Sequence, residues 1–473
     1  MFSFFANPVK RKQYLLMAGD VLIVLGAILL AYTVRFTLEG IPLSTVRQRM
    51  TWMIPAMVAV QLLTFYVFEL YDLGKRFTTG RDGLAVLGGV LVSWSGLSIL
   101  SFLFPDYKLG RVVLALYVSL AAPAAFLWRK WFFGHLTHVP QRKNLLLVGS
   151  DVTNGMMKEE LTNYPIKEYN LVGTINGWGD CTEGTCPELA LSPGEGLAEG
   201  ACPSRESLKQ VVRERAVDTI VYSVNDSLSD DFLAQVLALR FHGVEACDVP
   251  RFYSRLVGKI PAFAVNASWL LNCINAIPYL SSPLKRILDL CLAVVGLVLS
   301  APLFLLIALA IKLDSRGPVF FRQERLGLHG TPFTTIKFRT MVQEAETRSG
   351  PVWAREDDPR ITKVGKLLRK GRLDELPQLL NVLKGEMSFV GFRPIRQHFA
   401  QRLAQQIPFY SLRFTIRPGL TGWPQVKYDY AGSEEGQLEK FQYELFYLQN
   451  ASLLLDAYII LKTVQTVLFR RGQ

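Results

Sequence analysis

Residues 287–311 read ILDLCLAVVGLVLSAPLFLLIALAI, in which Asp289 is the single charged residue. This stretch is long enough to cross a bilayer as a helix. The basic residues that flank it are Lys285, Arg286, Lys312, Arg316 and Arg322. Because Lys and Arg accumulate on the cytoplasmic side of membrane segments, both ends are predicted to face the cytoplasm. Pro302 removes a backbone hydrogen bond and bends the helix, so we predict a re-entrant membrane hairpin of two half-helices over 281–312.

Four further apolar segments lie upstream of this stretch, and each is long enough for a transmembrane helix. They span residues 14–34, 51–71, 83–104 and 111–128. The first is too long for a signal peptide and lacks a cleavage site. Basic residues are more frequent at the N-terminus, between the second and third segments and after the fourth than in the other loops. We therefore predict a four-helix transmembrane region over 1–135, with the rest of the chain in the cytoplasm.

Residues 141–265 have a different pattern, in which short β-branched runs alternate with helical stretches. This alternation predicts a parallel, Rossmann-like sheet. A dinucleotide site requires a glycine-rich turn after the first strand and an acidic residue after the second. The first turn reads GSDVTNG, and Asn176 and Gly177 follow the second strand. The sequence therefore favours a structural or regulatory role over NAD binding, and an acidic Gly/Pro-rich insertion at about 178–204 is predicted to be a solvated loop.

The charge and cysteine content exclude several classes of protein. The net charge is +12, but the basic residues lie beside apolar segments, where they would face lipid headgroups or phosphorylated substrates. Nucleic-acid binding is therefore not predicted. The six cysteines show no disulfide framework, and no histidine accompanies Cys181, Cys186 and Cys202 to complete a zinc site.

The third part of the chain, 313–473, is predicted to be a mixed α/β catalytic domain. Its centre is the pair Asp374 and Glu375 in the motif LDELPQL, near the start of a helix that Gly385 ends. An isolated acid pair there most often caps the helix. Here, however, cations lie in several separate Gly/Pro-rich motifs, and one guanidinium group can bind two phosphate oxygens at once. These cations are Lys337, Arg339, Arg369, Arg393 and Arg417. The combination predicts a phosphoryl-transfer site for a diphosphate and a divalent ion.

These motifs resemble those of the polyprenyl-phosphate sugar-1-phosphate transferases, the monotopic-type bacterial phosphoglycosyl transferases. The resemblance covers about 283–473 and includes Lys285-Arg286 with Asp289, Pro302, GPVFFRQ, KFRTM, LDELPQL, GFRP and RPGLTGW. The N-terminal arrangement resembles the long form of this family, with four membrane helices and a Rossmann-like domain. The chain departs from the family pattern at Phe392, where proline is usual, and at Gly371-Arg372, where small hydroxyl residues are common.

The resemblance implies a two-step reaction at the bacterial inner membrane. Asp374 attacks the β-phosphate of a UDP-sugar and releases UMP, and undecaprenyl phosphate then takes the hexose 1-phosphate from the carboxylate. Glu375 is implied as a partner acid or base, Mg²⁺ as a cofactor held by both acids, and the five cations as phosphate ligands or pocket residues. The product would initiate an exopolysaccharide, capsule or O-antigen, with glucose or galactose as the implied sugar.

Two alternatives stay open from the sequence. One is a membrane-tethered nucleotide-sugar dehydratase or epimerase. The sequence gives it little support, because the glycine-rich turn of a dinucleotide site is missing. The other is a non-catalytic scaffold for polysaccharide assembly, against which the acid pair argues. The C-terminal segment SLLLDAYIILKTVQTVLFRRG is either an interfacial helix or a core helix. The sequence does not determine which sugar is transferred, which polysaccharide is made or whether the protein is a homodimer.

Overall fold

The protein forms two compact units in a computed structural model, Met1–Pro140 and Gln141–Gln473. The structure describes residues 8–39, 43–68, 70–71, 79–103, 111–136, 142–163, 169–176, 188–190, 207–225, 229–274, 277–342, 358–428 and 434–468.

The first unit consists of long apolar helices. They are α1 (Pro8–Glu39), α2 (Leu43–Val67), α3 (Thr79–Leu103) and α4 (Arg111–His135), and each predicted apolar segment overlaps one of them. Two helical stretches of the described chain are long and apolar enough to cross a membrane, Lys12–Arg35 in α1 and Pro283–Asp314 in the second unit. Shorter apolar stretches lie in α2 and α3. Membrane crossing by all four helices is therefore a proposal, which we take up below.

A buried ion pair joins α1 to α4 in this unit. Both terminal nitrogens of Arg129 donate to the carboxylate of Asp20 at 2.7 Å, and neither side chain is exposed. The guanidinium group also lies 4.4 Å from the centre of the Phe65 ring on α2. Removing one partner of a buried pair leaves an uncompensated charge, so this contact fixes the two helices against each other.

The second unit begins with a mainly parallel sheet. Its elements are β1 (Lys143–Gly149), α5 (Asp151–Asn163), β2 (Tyr169–Asn176), β3 (Glu188–Ala190), α6 (Ser207–Glu214), β4 (Thr219–Tyr222), α7 (Asp230–Phe241), β5 (Glu245–Asp248) and α8 (Val249–Leu256). The strand order is β3-β2-β1-β4-β5, and all neighbours except β2 and β3 are parallel. The predicted parallel sheet is confirmed. The predicted insertion contains the short antiparallel strand β3, and the rest of it lies outside the described residues.

A connecting segment attaches the sheet to the second half of this unit. It contains a 3₁₀ turn (Ala262–Ala264), α9 (Ala267–Cys273) and α10 (Ile277–Leu280). The main chain of Ile260 donates to Gln442 at 3.0 Å, and the Trp423 indole donates to the Gly258 carbonyl at 2.6 Å. Buried side chains of the segment, such as Trp269, also belong to the same hydrophobic core as Phe392. The core of the C-terminal domain therefore begins well before residue 313.

Helix α11 (Pro283–Asp314) is the long apolar helix of the second unit. The sequence analysis predicted two half-helices here, whereas the structure has one helix with Pro302 inside it. The Ser300 hydroxyl donates to the Gly296 carbonyl at 2.6 Å. One face of α11 is buried and the other carries exposed leucines such as Leu299 and Leu305. The exposed apolar face fits contact with lipid.

The remaining elements form a mixed α/β structure, as predicted. They are β6 (Phe320–Leu326), β7 (Pro332–Phe338), α12 (Lys363–Lys370), α13 (Leu379–Lys384), β8 (Ser388–Val390), α14 (Gln397–Gln406), β9 (Gly419–Thr421), α15 (Trp423–Lys427), α16 (Glu434–Asn450) and α17 (Leu453–Leu468). Strands β6 and β7 form an antiparallel hairpin, and β8 pairs in parallel with β9. Helix α17 buries Asp456 and Ile459 and exposes Leu454, so one of its faces packs in the core.

Candidate active site

Asp374 and Glu375 lie in a 3₁₀ turn, Leu373–Gln378, that leads directly into α13. Pro377 has no N–H to donate, which suits a tight turn at the start of a helix. Gly385 ends α13 in the left-handed region at φ 87°, where glycine carries no steric penalty. The predicted helix after the acid pair is therefore present. Arg372 precedes the turn with φ 52°, an unusual conformation for a residue with a side chain.

Glu375 is a buried carboxylate that two cations hold. Lys337 Nζ, on β7, lies 3.0 Å from Oε1, and Arg393 Nη2 lies 2.7 Å from the same atom. Burial by itself raises the pKa of Glu375, but the charges of Arg393 and Lys337 outweigh it and hold that pKa well below its usual range. Glu375 is therefore ionised and acts as the counter-ion of both cations.

Asp374 has a different environment from its neighbour. Within the part of the chain that the structure describes, its carboxylate makes no hydrogen bond or ion pair. Burial, followed by the charge of Glu375, raises the pKa of Asp374 to about 6, although Lys337, Arg393 and Arg369 act in the opposite direction. One carboxylate is thus held in place, whereas the other is available to a ligand.

Further contacts fix the cations around the pair. Arg413 Nη2 donates to the Arg393 carbonyl at 3.0 Å and forms a buried ion pair of 2.9 Å with Glu444 on α16. Arg369, at the end of α12, donates through Nε to the Thr340 hydroxyl at 2.9 Å. Because Arg369 also influences the pKa of Asp374, its charge lies near that carboxylate.

The other two predicted cations make contacts elsewhere. Arg339 is buried and donates to the carbonyls of Ser315 and Arg316, where the chain leaves α11. Arg417 donates through Nε to the Gly385 carbonyl at 3.1 Å. Neither is joined to Asp374 or Glu375 by a hydrogen bond or ion pair among the described residues, so these contacts support the loops around the site.

Lys285 and Arg286, at the start of α11, point in different directions. Arg286 donates to the carbonyls of Val382 and Leu383 and so caps the end of α13. Lys285 is buried, with its Nζ 2.7 Å from Asp456 on α17 and 3.2 Å from the Val390 carbonyl. The sequence analysis missed Asp456, Arg413 and Glu444; a charged residue inside an apolar run such as SLLLDAYIIL was the available signal for Asp456.

The acid pair also fits a magnesium ion. The described residues contain no group of three or more His, Cys, Asp or Glu side chains that could hold a metal alone. Mg²⁺, however, commonly takes one or two carboxylates, and substrate phosphates and water complete its coordination. Lys337 and Arg393 both bind Oε1 of Glu375, and in the described chain neither Oε2 of Glu375 nor the Asp374 carboxylate accepts a hydrogen bond. These oxygens are suitable ligands for the ion.

Comparison with known proteins identifies the family to which the chain is similar. Residues 280–470 match the family described as bacterial sugar transferase. A UDP-glucose:undecaprenyl-phosphate glucose-1-phosphate transferase of Caulobacter vibrioides is 40% identical over 237 residues, which cover 48% of this chain and 87% of that protein. A UDP-N-acetylgalactosamine-undecaprenyl-phosphate N-acetylgalactosaminephosphotransferase of Aeromonas hydrophila is 44% identical over 185 residues, 39% of this chain and 44% of that protein. An undecaprenyl-phosphate glucose phosphotransferase of Komagataeibacter xylinus is 30% identical over 348 residues, 70% of this chain and 60% of that protein.

An acid pair among cations, in a domain that contains a long apolar helix, is suited to an enzyme that transfers phosphorylated groups. The chain belongs to the bacterial sugar transferase family. The match spans less than half of the Aeromonas relative and most of the Caulobacter one.

Proposed function

We propose that this protein transfers a hexose 1-phosphate from a UDP-sugar to undecaprenyl phosphate and releases UMP. The observation that carries the proposal is the asymmetry of the acid pair, in which two cations hold Glu375 while Asp374 is free to react. The names of the relatives support the donor and acceptor classes. Those relatives act on glucose and on N-acetylgalactosamine, so the sugar specificity of this chain has to be measured.

The reaction proceeds in two displacements at one phosphorus atom. In the first, a carboxylate oxygen of Asp374 bonds to the β-phosphorus of the UDP-sugar, and the bond from that phosphorus to the bridging oxygen breaks, so that UMP leaves with the electron pair. In the second, a phosphate oxygen of the lipid bonds to the same phosphorus and Asp374 departs as a carboxylate. Lys337, Arg369 and Arg393 would bind the phosphate oxygens in both steps.

Glu375 has a positioning role in this scheme, because it holds Lys337 and Arg393. Glu375→Gln is expected to lower kcat by about a hundred-fold, since these cations lose their charged partner but the nucleophile stays. The rate of UMP release by the purified variant would measure this loss of kcat. The control is Glu214→Gln, at an exposed position of α6. Unchanged activity, or a failure to form any sugar-phosphate adduct, would contradict a positioning role.

A magnesium ion would be held by Asp374 and the second oxygen of Glu375, and it would neutralise charge on the substrate phosphates. Removal of divalent ions with EDTA is expected to reduce UMP release by at least about a hundred-fold, and Mg²⁺ should restore it. The measurement is the initial rate of UMP release at several free Mg²⁺ concentrations. Full activity in EDTA would show that the basic side chains of the protein neutralise the substrate phosphates without a metal ion.

The acceptor lipid explains why the chain has apolar helices. We propose that α1 to α4 cross the bacterial inner membrane and that the second unit lies in the cytoplasm. We also propose that α11 enters the membrane and returns, which requires this single helix to bend at Pro302 in the bilayer. The exposed leucines of α11 and its basic ends support this topology. The exposed face of helix α17 would contact the membrane interface. The product would initiate an exopolysaccharide, capsule or O-antigen.

The test is UMP release by detergent-solubilised protein from a panel of UDP-sugars, with Mg²⁺ and undecaprenyl phosphate. Lipid-dependent release from one or a few sugars would establish the transferase and identify its donor. No release from any UDP-sugar, by protein that remains folded, would overturn the proposal.

A further inference from the structure

Helix α16 carries a further cation, Lys440, near the contacts that join this helix to the Arg393 motif. Glu444 on α16 binds Arg413, and Arg413 binds the main chain of Arg393, so this face of α16 is directed at the Arg393 motif. Lys440 lies one helical turn before Glu444 and therefore shares its face. The only side-chain partner that the structure gives Arg393 in the described chain is Glu375, and 46% of its side chain is exposed.

Lys440 is half-buried among like charges. Burial, with the charges of Arg393, Arg413 and Arg372, lowers the pKa of Lys440 to about 8, and Glu444 only partly offsets this. No carboxylate lies within salt-bridge distance of its ammonium group among residues 358–428 and 434–468 or elsewhere in the described chain. An anion bound among these cations would offset their mutual repulsion and the cost of their burial.

Arg372 is a further cation next to the acid pair in sequence. Arg372 precedes the 3₁₀ turn that carries the acid pair, and its charge lowers the pKa of both Glu375 and Lys440. The left-handed backbone at Arg372, φ 52°, sets the direction of a side chain only two residues before Asp374. The charges of Arg372 and Arg393 therefore both act on Glu375 and on Lys440.

We propose that Lys440 and Arg372, with the exposed part of Arg393, form a subsite for the phosphate group that Asp374 does not attack. This inference rests on the proposed function. Two substrates offer such a group: the nucleotide phosphate of the donor, which leaves as UMP, and the terminal phosphate of the lipid acceptor. Both present phosphate oxygens to which ammonium and guanidinium groups donate charge-assisted hydrogen bonds.

The experiment compares wild type, Lys440→Gln, Lys440→Arg and Arg372→Gln, with Lys209→Gln on exposed α6 as the control. KM is measured separately for the UDP-sugar and for undecaprenyl phosphate, each at saturating co-substrate. Lys440→Gln is expected to raise one of the two KM values about ten- to a hundred-fold, as loss of one charge-assisted hydrogen bond does. Lys440→Arg should recover most of the loss, and Arg372→Gln should raise the same KM.

The KM that changes identifies the phosphate, that of the nucleotide or that of the lipid. If both KM values of Lys440→Gln stay within twofold of wild type, the subsite is wrong. It is also wrong if Lys440→Gln and Lys440→Arg lose kcat equally with both KM values unchanged, because Lys440 would then be structural. Binding of UMP and of undecaprenyl phosphate can be measured without turnover, which separates this inference from the proposed function. If the wild type were inactive but Lys440→Gln bound either compound more weakly than the wild type does, the proposed reaction would be contradicted and the subsite retained.

Discussion

Asp374→Asn is expected to abolish lipid-dependent UMP release, with a fall of at least about a thousand-fold in kcat. Asparagine keeps the shape of the side chain but lacks the carboxylate oxygen that bonds to phosphorus. Because burial already raises the pKa of Asp374, a neutral replacement should not lower the free energy of unfolding. Loss of activity in a protein of unchanged stability would therefore report on the chemistry.

The control for this variant is Asp230→Asn at the exposed start of α7, which removes one carboxylate far along the chain from the site. It should retain wild-type activity. If Asp374→Asn kept more than a tenth of the wild-type rate, the nucleophile would have to be another group, and the two-step mechanism through this residue would be wrong.

Lys285→Met is expected to destabilise the second unit by about 3–5 kcal/mol, the usual effect of removing one partner of a buried ion pair. Asp456 is fully buried and accepts hydrogen bonds from Lys285, Tyr279 and Tyr447 at 2.7, 2.8 and 2.7 Å. Lys285 also lies 3.7 Å from Asp289. Methionine fills a similar volume but leaves both carboxylates without a cation, so thermal or denaturant unfolding should show the loss.

Lys312→Met is the matched control, because Lys312 is an exposed lysine at the other end of the same helix. The double variant Lys285→Met with Asp456→Asn should recover part of the stability, since it removes the uncompensated charge. A change below 1 kcal/mol in Lys285→Met would show that the buried pair contributes little. Loss of activity is also expected, because Lys285 binds the Val390 carbonyl just before the Arg393 motif.

The sequence predicted the elements of this protein better than the contacts between them. Periodicity and β-branched runs predicted the parallel sheet, and an apolar run of 25 residues predicted the position of α11, although as two half-helices and not as one helix. The resemblance to the sugar-1-phosphate transferases is confirmed by the family match, and the dehydratase and scaffold alternatives find no support among the relatives.

The positions of individual cations depend on tertiary contacts and could not be predicted from spacing. Lys337 and Arg339 lie two residues apart on or next to β7, yet Lys337 binds Glu375 and Arg339 binds the chain after α11. Lys285 and Asp456 meet across 171 positions of sequence, and no local pattern records such a pair. The roles assigned to Asp374, Glu375 and the cations stay predictions until variants are measured.

The most direct test of the two-step mechanism omits the lipid. Wild-type protein is incubated with its UDP-sugar and Mg²⁺, quenched, digested and examined by mass spectrometry of the peptide that contains Asp374. The mechanism predicts a burst of UMP up to one equivalent of enzyme and a hexose phosphate on Asp374 that added undecaprenyl phosphate removes. UMP release that strictly requires the lipid, with no adduct on this peptide, would show direct transfer between the substrates and contradict the mechanism.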